Sequence, residues 1–341
     1  MSEHVDPSHI MQIGMGFWGS KALLSAVELE LFSKLASEPM SGPQIAEALA
    51  LDDRAIPDFP DALVALGLLG RDGDGADATY RNTEATAAFL DKASPAYIGG
   101  FLQMANARLY PFWGELTEAL QTGNPQNEVK QTGKPVFDEL YSDPDRLEHF
   151  MQAMAGISKG PALALAEKFD FSRYQTLCDV GGATGELALI VARRHPHLRC
   201  TSFDLPAVEP IARRTIEASG LQDRVTTAAG DFFAEPLPKA DVVTMGHILH
   251  DWSLERRIQL IAAAYDALPA GGAFVAIENI IDDGRRENAF GLLMSLNMLI
   301  ETGEGSEFTG AEFASWCKEV GFKEVDVVAL AGPTSAAIAY R

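Results

Sequence analysis

The second half of the chain alternates short apolar runs with helical segments, and this rhythm restricts the fold more than any other feature. Apolar runs fall at Thr176–Val180, Arg199–Asp204, Val225–Ala229, Ala240–Gly246 and Ala273–Ile280. Helical periodicity separates most of them, over Glu186–His195, Ala207–Ala218, Leu254–Leu268, Ala289–Ile300 and Ala311–Val320. Strands that read as continuous apolar runs are buried on both faces, and strand–helix–strand order implies a parallel sheet covered on each side. The expected fold class is therefore α/β, a doubly wound, mostly parallel sheet. Val325–Leu330 and Ala336–Tyr340 lie close enough in sequence to pair as an antiparallel edge.

The first half is mainly helical. Leu23, Val27, Leu31 and Leu35 recur at helical spacing, as one buried stripe. Ser41-Gly42-Pro43 breaks that helix and starts another over Gln44–Leu49. Phe59–Leu69 is a third apolar segment, Arg71–Gly75 reads as a tight turn, and Tyr80-Arg81-Asn82 returns as a strand. Three helices and a hairpin suggest a winged-helix arrangement, with Pro57 and Pro60 interrupting its expected recognition segment, Asp52 to Leu66. From about Ala93 to Lys168 the pattern is helical again, broken at Gly123-Asn124-Pro125 and Gly133-Lys134-Pro135. The expected division is residues 1–100, a helical linker at 101–168, and the α/β domain at 169–341.

Charge and composition exclude several partners. The formal net charge is −21, and a surface that negative repels phosphate backbones and anionic lipid. A DNA-binding regulator is opposed more locally. The segment Asp52 to Leu66 sets Asp52, Asp53, Asp58 and Asp61 against Arg54 alone. No apolar run approaches the roughly 20 residues a membrane helix needs. The opening MSEHVDPSHI has no basic stretch followed by an apolar core, so no signal peptide is expected. Cys178, Cys200 and Cys317 are odd in number and far apart, which suits a reducing cytoplasm.

The first strand of the α/β half, Leu177-Cys178-Asp179-Val180, runs into Gly181-Gly182-Ala183-Thr184-Gly185. Strand, glycine cluster and helix in that order bring backbone close to a ligand at a topological switch point. The spacing is neither the G-x-G-x-x-G of a dinucleotide fold nor a phosphate loop with its lysine. The helix begins with Glu186, which opposes a phosphate there and tolerates a cationic or zwitterionic ligand. Asp204 ends the second strand, where a carboxylate can accept two ribose hydroxyls. Asp231 follows the third, placed to bind an exocyclic amine, with Phe232 and Phe233 to flank an adenine. The ligand implied is a nucleoside without phosphates.

These motifs, DVGGATGE, SFDLPAV, GDFF and HILHDW, resemble those of class I methyltransferases of the caffeate and hydroxyneurosporene O-methyltransferase type. The likeness covers nearly the whole chain, because that family carries an N-terminal winged-helix dimerisation domain. It implies S-adenosylmethionine as methyl donor, held by Gly181, Gly182, Gly185, Asp204, Leu205, Asp231, Phe232, Phe233 and His247, with no metal. Ala183 stands where many members have a third consecutive glycine, and alanine serves there if its φ is negative.

His247-Ile248-Leu249-His250-Asp251-Trp252 follows the fourth strand, at the active-site edge of such a sheet. A histidine with a pKa near neutrality can take a proton from a hydroxyl. Glu278, ending the fifth strand, and Glu307, in the Gly303–Thr309 loop, fall where a carboxylate can fix its tautomer. The family's base matches His250 and its orienting glutamates match Glu278 and Glu307. His247 reads as a cofactor-side residue rather than a second base, and Asp251 as a substrate contact. An alternative metal set would use Asp251 with Glu278-Asn279. Met104, Met151, Met154, Met294 and Met298 are pocket candidates by resemblance and helical spacing, methionine being adaptable. The expected activity is methylation of a hydroxyl on a hydrophobic, aromatic small molecule by a homodimer. Relatives that hydroxylate or decarboxylate are the alternative, against which the His250, Glu278 and Glu307 set argues.

Overall fold

The computed structural model describes residues 6–133, 141 and 143–341, so Lys134 and Pro135 of the second expected loop lie outside the described residues. The chain forms two compact units, Met1–Pro111 and Phe112–Arg341.

In the first unit the expected stripe is buried but not continuous. The helix Gly16–Glu28 stops before Glu30, whose φ of 60° turns the chain into a separate short helix, Leu31–Lys34. Val27, Leu31 and Leu35 then pack with Ile45, Leu63 and Tyr80, while Leu23 is only partly covered. Ser41 and Gln44 form a capping box that starts the helix Gly42–Leu49. The segment Asp52–Leu66 is interrupted at Pro57, between the short turn Asp53–Ala55 and the helix Asp58–Ala65. Pro60 lies in the first turn of that helix, where backbone N–H groups have no helical partner to lose. Strands β2 (Leu69–Asp72) and β3 (Thr79–Asn82) make the hairpin, and β1 (Met40–Ser41) pairs on the other side of β3. The helix Ser8–Gly14 buries no residue, leaving Ile10 72% and Ile13 68% exposed. In the same unit a groove of about 530 Å³ is lined by Phe17, Trp18, Lys21, Leu29, Phe59 and Tyr110.

The second unit is a seven-stranded sheet. Its strands are β4 (Thr176–Val180), β5 (Arg199–Asp204), β6 (Val225–Ala229), β7 (Val242–Gly246), β8 (Ala273–Glu278), β9 (Glu324–Ala329) and β10 (Ser335–Tyr340). Their order is β6-β5-β4-β7-β8-β10-β9. β4 to β8 are parallel, and β10 inserts antiparallel between β8 and β9. Both faces are covered by apolar side chains. Leu177, Leu189, Val242 and Val275 pack on one side, and Val180, Met245, Leu260 and Phe274 on the other. The chain steps outward from β4 to β6, then returns to β7 on the opposite side of β4. The loops after β4 and β7 therefore part at the carboxyl ends of the strands and open a crevice there. Among the described residues no helix is long and apolar enough to cross a membrane.

The glycine loop lies directly on a buried polar row. Thr244 donates to Asp179 at 2.7 Å, and Ser202 pairs in register on the other side of Asp179. A Cβ at Gly182 would stand 2.2 Å from Ser202 Oγ and 3.1 Å from the Asp179 carbonyl, so only glycine fits. Ala183 departs from the expected negative φ. Its φ is 49°, a conformation that costs an L-residue about 1–2 kcal/mol, and its N–H is held by Asp204 Oδ2 at 2.8 Å. Gly182→Ala should lower the unfolding free energy by about 1–3 kcal/mol, as overpacking does, whereas Ala183→Gly should cost nothing. Urea unfolding of the two variants checks this, and an unaltered midpoint for Gly182→Ala would mean that the loop yields.

Candidate active site

Two groups of side chains face the crevice. The first surrounds the glycine loop. Gly181 leaves β4 with φ 69°, and a Cβ there would stand 2.3 Å from Ile248 Cδ1. Asp204 accepts the N–H of Ala183 through Oδ2 and that of Leu205 through Oδ1, each at 2.8 Å. Each oxygen keeps a lone pair, which suits the two adjacent hydroxyls of a ribose. Burial pushes the Asp204 carboxyl up to about 6, against the pull of those two N–H groups. Asp231 is folded onto its own turn by the Phe233 N–H. Phe232, Phe233 and Trp252 form an edge-to-face cluster, Phe233 and Trp252 having centroids 4.7 Å apart. The Arg256 guanidinium lies 4.6 Å over Phe233. Gly185 caps the helix Glu186–Arg194.

The second group is built on the short turn Leu249–Asp251 after β7. His250, Glu278 and Glu307 are 6%, 0% and 2% exposed, so their charges are settled by one another rather than by water. His250 Nδ1 lies 3.0 Å from Glu307 Oε1 and 3.4 Å from Glu278 Oε2. Carboxylates accept, so Nδ1 carries the hydrogen and the neutral ring has its lone pair on Nε2. Nε2 lies 3.5 Å from Asp251 Oδ1. Glu278 Oε1 takes the backbone N–H groups of Ile248 and Leu249, and Glu307 Oε1 takes the Asn279 amide at 3.0 Å.

The electrostatics correct the expectation of a near-neutral histidine. Burial alone would lower the His250 pKa and is the largest single effect. Glu278, Glu307 and Asp251 together outweigh it and raise the ring to about 10. Burial pushes Glu278 up, while His250 and the hydrogen bonds from His250 and Asn279 hold Glu307 down against its own burial. At neutral pH the resting site thus contains an imidazolium paired with the Glu307 carboxylate. His247 goes the other way: burial first, then the His250 charge, lower it to about 4. It is neutral at pH 7 and a weak base. It leaves β7 with φ 54°, its N–H held by the Ile277 carbonyl at 3.0 Å.

His247, His250 and Glu278 offer donor atoms all within 4.8 Å of one another, a set that can hold a metal ion. Of the metal set read from sequence, Glu278 recurs in this group, and Asp251 Oδ1 lies 3.5 Å from His250 Nε2. Asn279 spends its amide nitrogen on Glu307 and accepts from Thr334 Oγ1 at 3.2 Å.

The methionines are placed less uniformly. Met151 is buried with Leu147, Val208 and Ile211, a cluster against which Ala183 and Leu205 pack, so it backs the glycine loop. Met298 is buried on the helix Ala289–Glu301, with Met294 half-buried, and Met154 is half-buried on the helix Pro144–Lys168. Met104 ends the helix Gly99–Met104 of the first unit. Two residues had no signal in the sequence. Tyr141 packs on the Met151 cluster, and its hydroxyl is pushed up by burial and then by Asp204 and Asp251. Arg257 belongs to no motif, yet sits under the His250 turn.

The Asp204 carboxylate on the glycine loop, a histidine with two glutamates after β7, and this strand order together define a methyltransferase of the class I fold. The O-methyltransferase domain model matches residues 113–323, and the O-methyltransferase dimerisation domain model matches residues 11–92. The chain is 44% identical to the tetracenomycin polyketide synthesis 8-O-methyl transferase TcmO of Streptomyces glaucescens, over 97% of this chain and 96% of that one. It is 36% identical to the 3-hydroxy-5-methyl-1-naphthoate 3-O-methyltransferase of Streptomyces sahachiroi, over 96% and 92%. The structure of human N-acetylserotonin methyltransferase in complex with SAM superposes with a TM-score of 0.91 at 28% identity, covering 100% of this chain and 99% of that one. The chain belongs to the O-methyltransferase family and uses S-adenosylmethionine as its methyl donor.

Asp204→Ala should weaken binding of S-adenosylmethionine by about 10- to 150-fold, the equivalent of about 1.5–3 kcal/mol for a charge-assisted pair. Titration calorimetry on the folded variant measures it, and unchanged affinity would move the donor site elsewhere.

Proposed function

We propose that the protein methylates a phenolic hydroxyl on a hydrophobic aromatic molecule of the polyketide kind, with His250 as general base. The observation that carries this is the His250 ring, held at Nδ1 by Glu307 at 3.0 Å. The aromatic acceptor class is supported by relatives whose names specify a tetracenomycin polyketide and a naphthoate. S-Adenosylmethionine supplies a methyl group already activated by a positively charged sulfur. The residues have three tasks left: to align the hydroxyl, exclude water and remove its proton. His250 Nε2 takes the proton as the hydroxyl oxygen forms its bond to the methyl carbon and the carbon–sulfur bond breaks, its electron pair leaving with the sulfur as a neutral thioether. Glu307 and Glu278 stabilise the imidazolium that results. Asp251, on the Nε2 side of the ring, orients the acceptor. Met154, Met294 and Met298 line the apolar pocket, and Met151 supports its wall.

A ring raised to about 10 cannot serve as base until something favours its neutral form. A cation brought near a histidine disfavours its protonated form and lowers its pKa. The His250 pKa should therefore be lower in the complex with the sulfonium donor than in the complex with the neutral thioether product, a difference NMR titration can read. Turnover of a weakly acidic phenol should rise with pH along a limb set by His250. His250→Gln should lower turnover about 10²–10⁴-fold while donor binding persists. The defect should shrink for acidic nitrophenols, which arrive ionised. Equal loss on every acceptor, despite normal binding, would assign His250 a positioning role.

We further propose that the protein acts as a homodimer through its first unit, in the reducing cytoplasm that its three free, buried cysteines suit. Ile10, Met11, Ile13, Phe17 and Trp18 are exposed around the first helices, and a patch of that kind marks an interface. The match to a dimerisation domain over residues 11–92 supports the reading. Light scattering at micromolar protein should give twice the 36.7 kDa chain mass. An active monomer under those conditions would refute it.

A further inference from the structure

Arg257 is 4% exposed, on the first turn of the helix Leu254–Ala267, with no ligand-facing task and no motif to explain it. Its Nε donates to the carbonyls of Leu249, at 2.9 Å, and Trp252, at 2.8 Å. These two residues bracket His250 and Asp251. Its Nη2 donates to the Ser306 carbonyl at 2.5 Å and to Ser306 Oγ at 3.0 Å, and lies 3.5 Å from the His250 carbonyl. Ser306 immediately precedes Glu307. The Ser306 N–H closes the arrangement by donating to the His250 carbonyl at 2.8 Å. Gly305 allows the close approach, since a Cβ there would stand 2.4 Å from that same carbonyl. Phe308 and Trp316 flank the guanidinium, each with its centroid 5.5 Å away.

We propose that Arg257 is a positioning residue for methyl transfer: its guanidinium clamps the His250 turn to the Ser306-Glu307 loop and so sets the His250–Glu307 hydrogen bond. The two loops come from distant parts of the chain, and a hydrogen bond between their side chains is only as well defined as the backbones carrying it. A planar fork with five donors is suited to tying several carbonyls at once, which a lysine ammonium does less rigidly. The cation also faces Glu278, Glu307, Glu312 and Asp251, offsetting part of their mutual repulsion.

The inference rests on His250 being the base, and the test separates the two ideas. A misplacement of about 1 Å at a reacting group costs on the order of 10²-fold. Arg257→Met should therefore lower kcat on a weakly acidic phenol by about 10- to 100-fold, with the dissociation constant for the demethylated donor product unchanged. The loss should fade on nitrophenols, as it does for His250→Gln. In the His250→Gln background, Arg257→Met should add little, because it acts through a ring no longer there. Arg257→Lys, which keeps the charge and some donors, should recover part of the rate and guards against a Met variant that fails to fold. A loss in Arg257→Met that is equal on all phenols, or that multiplies with the His250→Gln loss, would overturn the clamp and leave the base reading intact. A His250→Gln variant with full activity would instead overturn the base reading itself.

Discussion

The active end of the sheet depends on the burial of two glutamates against one histidine. A carboxylate taken out of water costs several kcal/mol unless it is paired and hydrogen-bonded. Glu278 and Glu307 are almost wholly inaccessible, and each is compensated differently. Glu307 keeps its charge beside His250 and the Asn279 amide. Glu278 is pushed toward its protonated form by burial and uses its other oxygen to hold the backbone of the His250 turn. Removing the imidazole would leave both without their main counterpart, so the local fold and the imidazole are coupled.

That coupling sets the chemistry. A ring beside three carboxyl groups binds its proton firmly. The same negative environment favours a positively charged methyl donor over a neutral product. On the proposed function, a cationic donor works against the carboxylates and lowers the proton affinity of the ring. His247, neutral and only 5.5 Å away ring to ring, adds no competing charge.

Two of the five non-glycine residues with positive φ among the described residues lie at the same edge. Ala183 and His247 both take positive φ, and each follows one of the two central strands, β4 and β7, between which the crevice opens. Each is held by a single specific bond, Ala183 to the Asp204 carboxylate and His247 to the Ile277 carbonyl. Strained positions of this kind persist only where the surroundings over-determine them. Here the surroundings are the packed strands beneath the loop and the buried row of Thr244, Asp179 and Ser202.

The strands, most of the helices and the glycine loop were legible because period, turn residues and strand-end acids are local properties of the chain. Thr176–Val180 and Arg199–Asp204 are observed with the limits read from the pattern, and His250 was legible because it follows a strand at a known edge. Other features were decided only when distant segments met. The insertion of β10 between β8 and β9 depends on which edge a returning strand reaches, and the break at Glu30 on what its two helices pack against. Arg257 and Tyr141 lie in no motif, since their roles arise from backbone carbonyls and carboxylates far away in sequence. The Ala183 conformation and the His250 pKa belong to the same class: sequence names the residue, but φ follows from the loop above the sheet and proton affinity from the sum of burial and three charges. The sequence alone therefore determined which groups are present and which elements carry them, and the tertiary structure decided their protonation and alignment, because those depend on through-space distances.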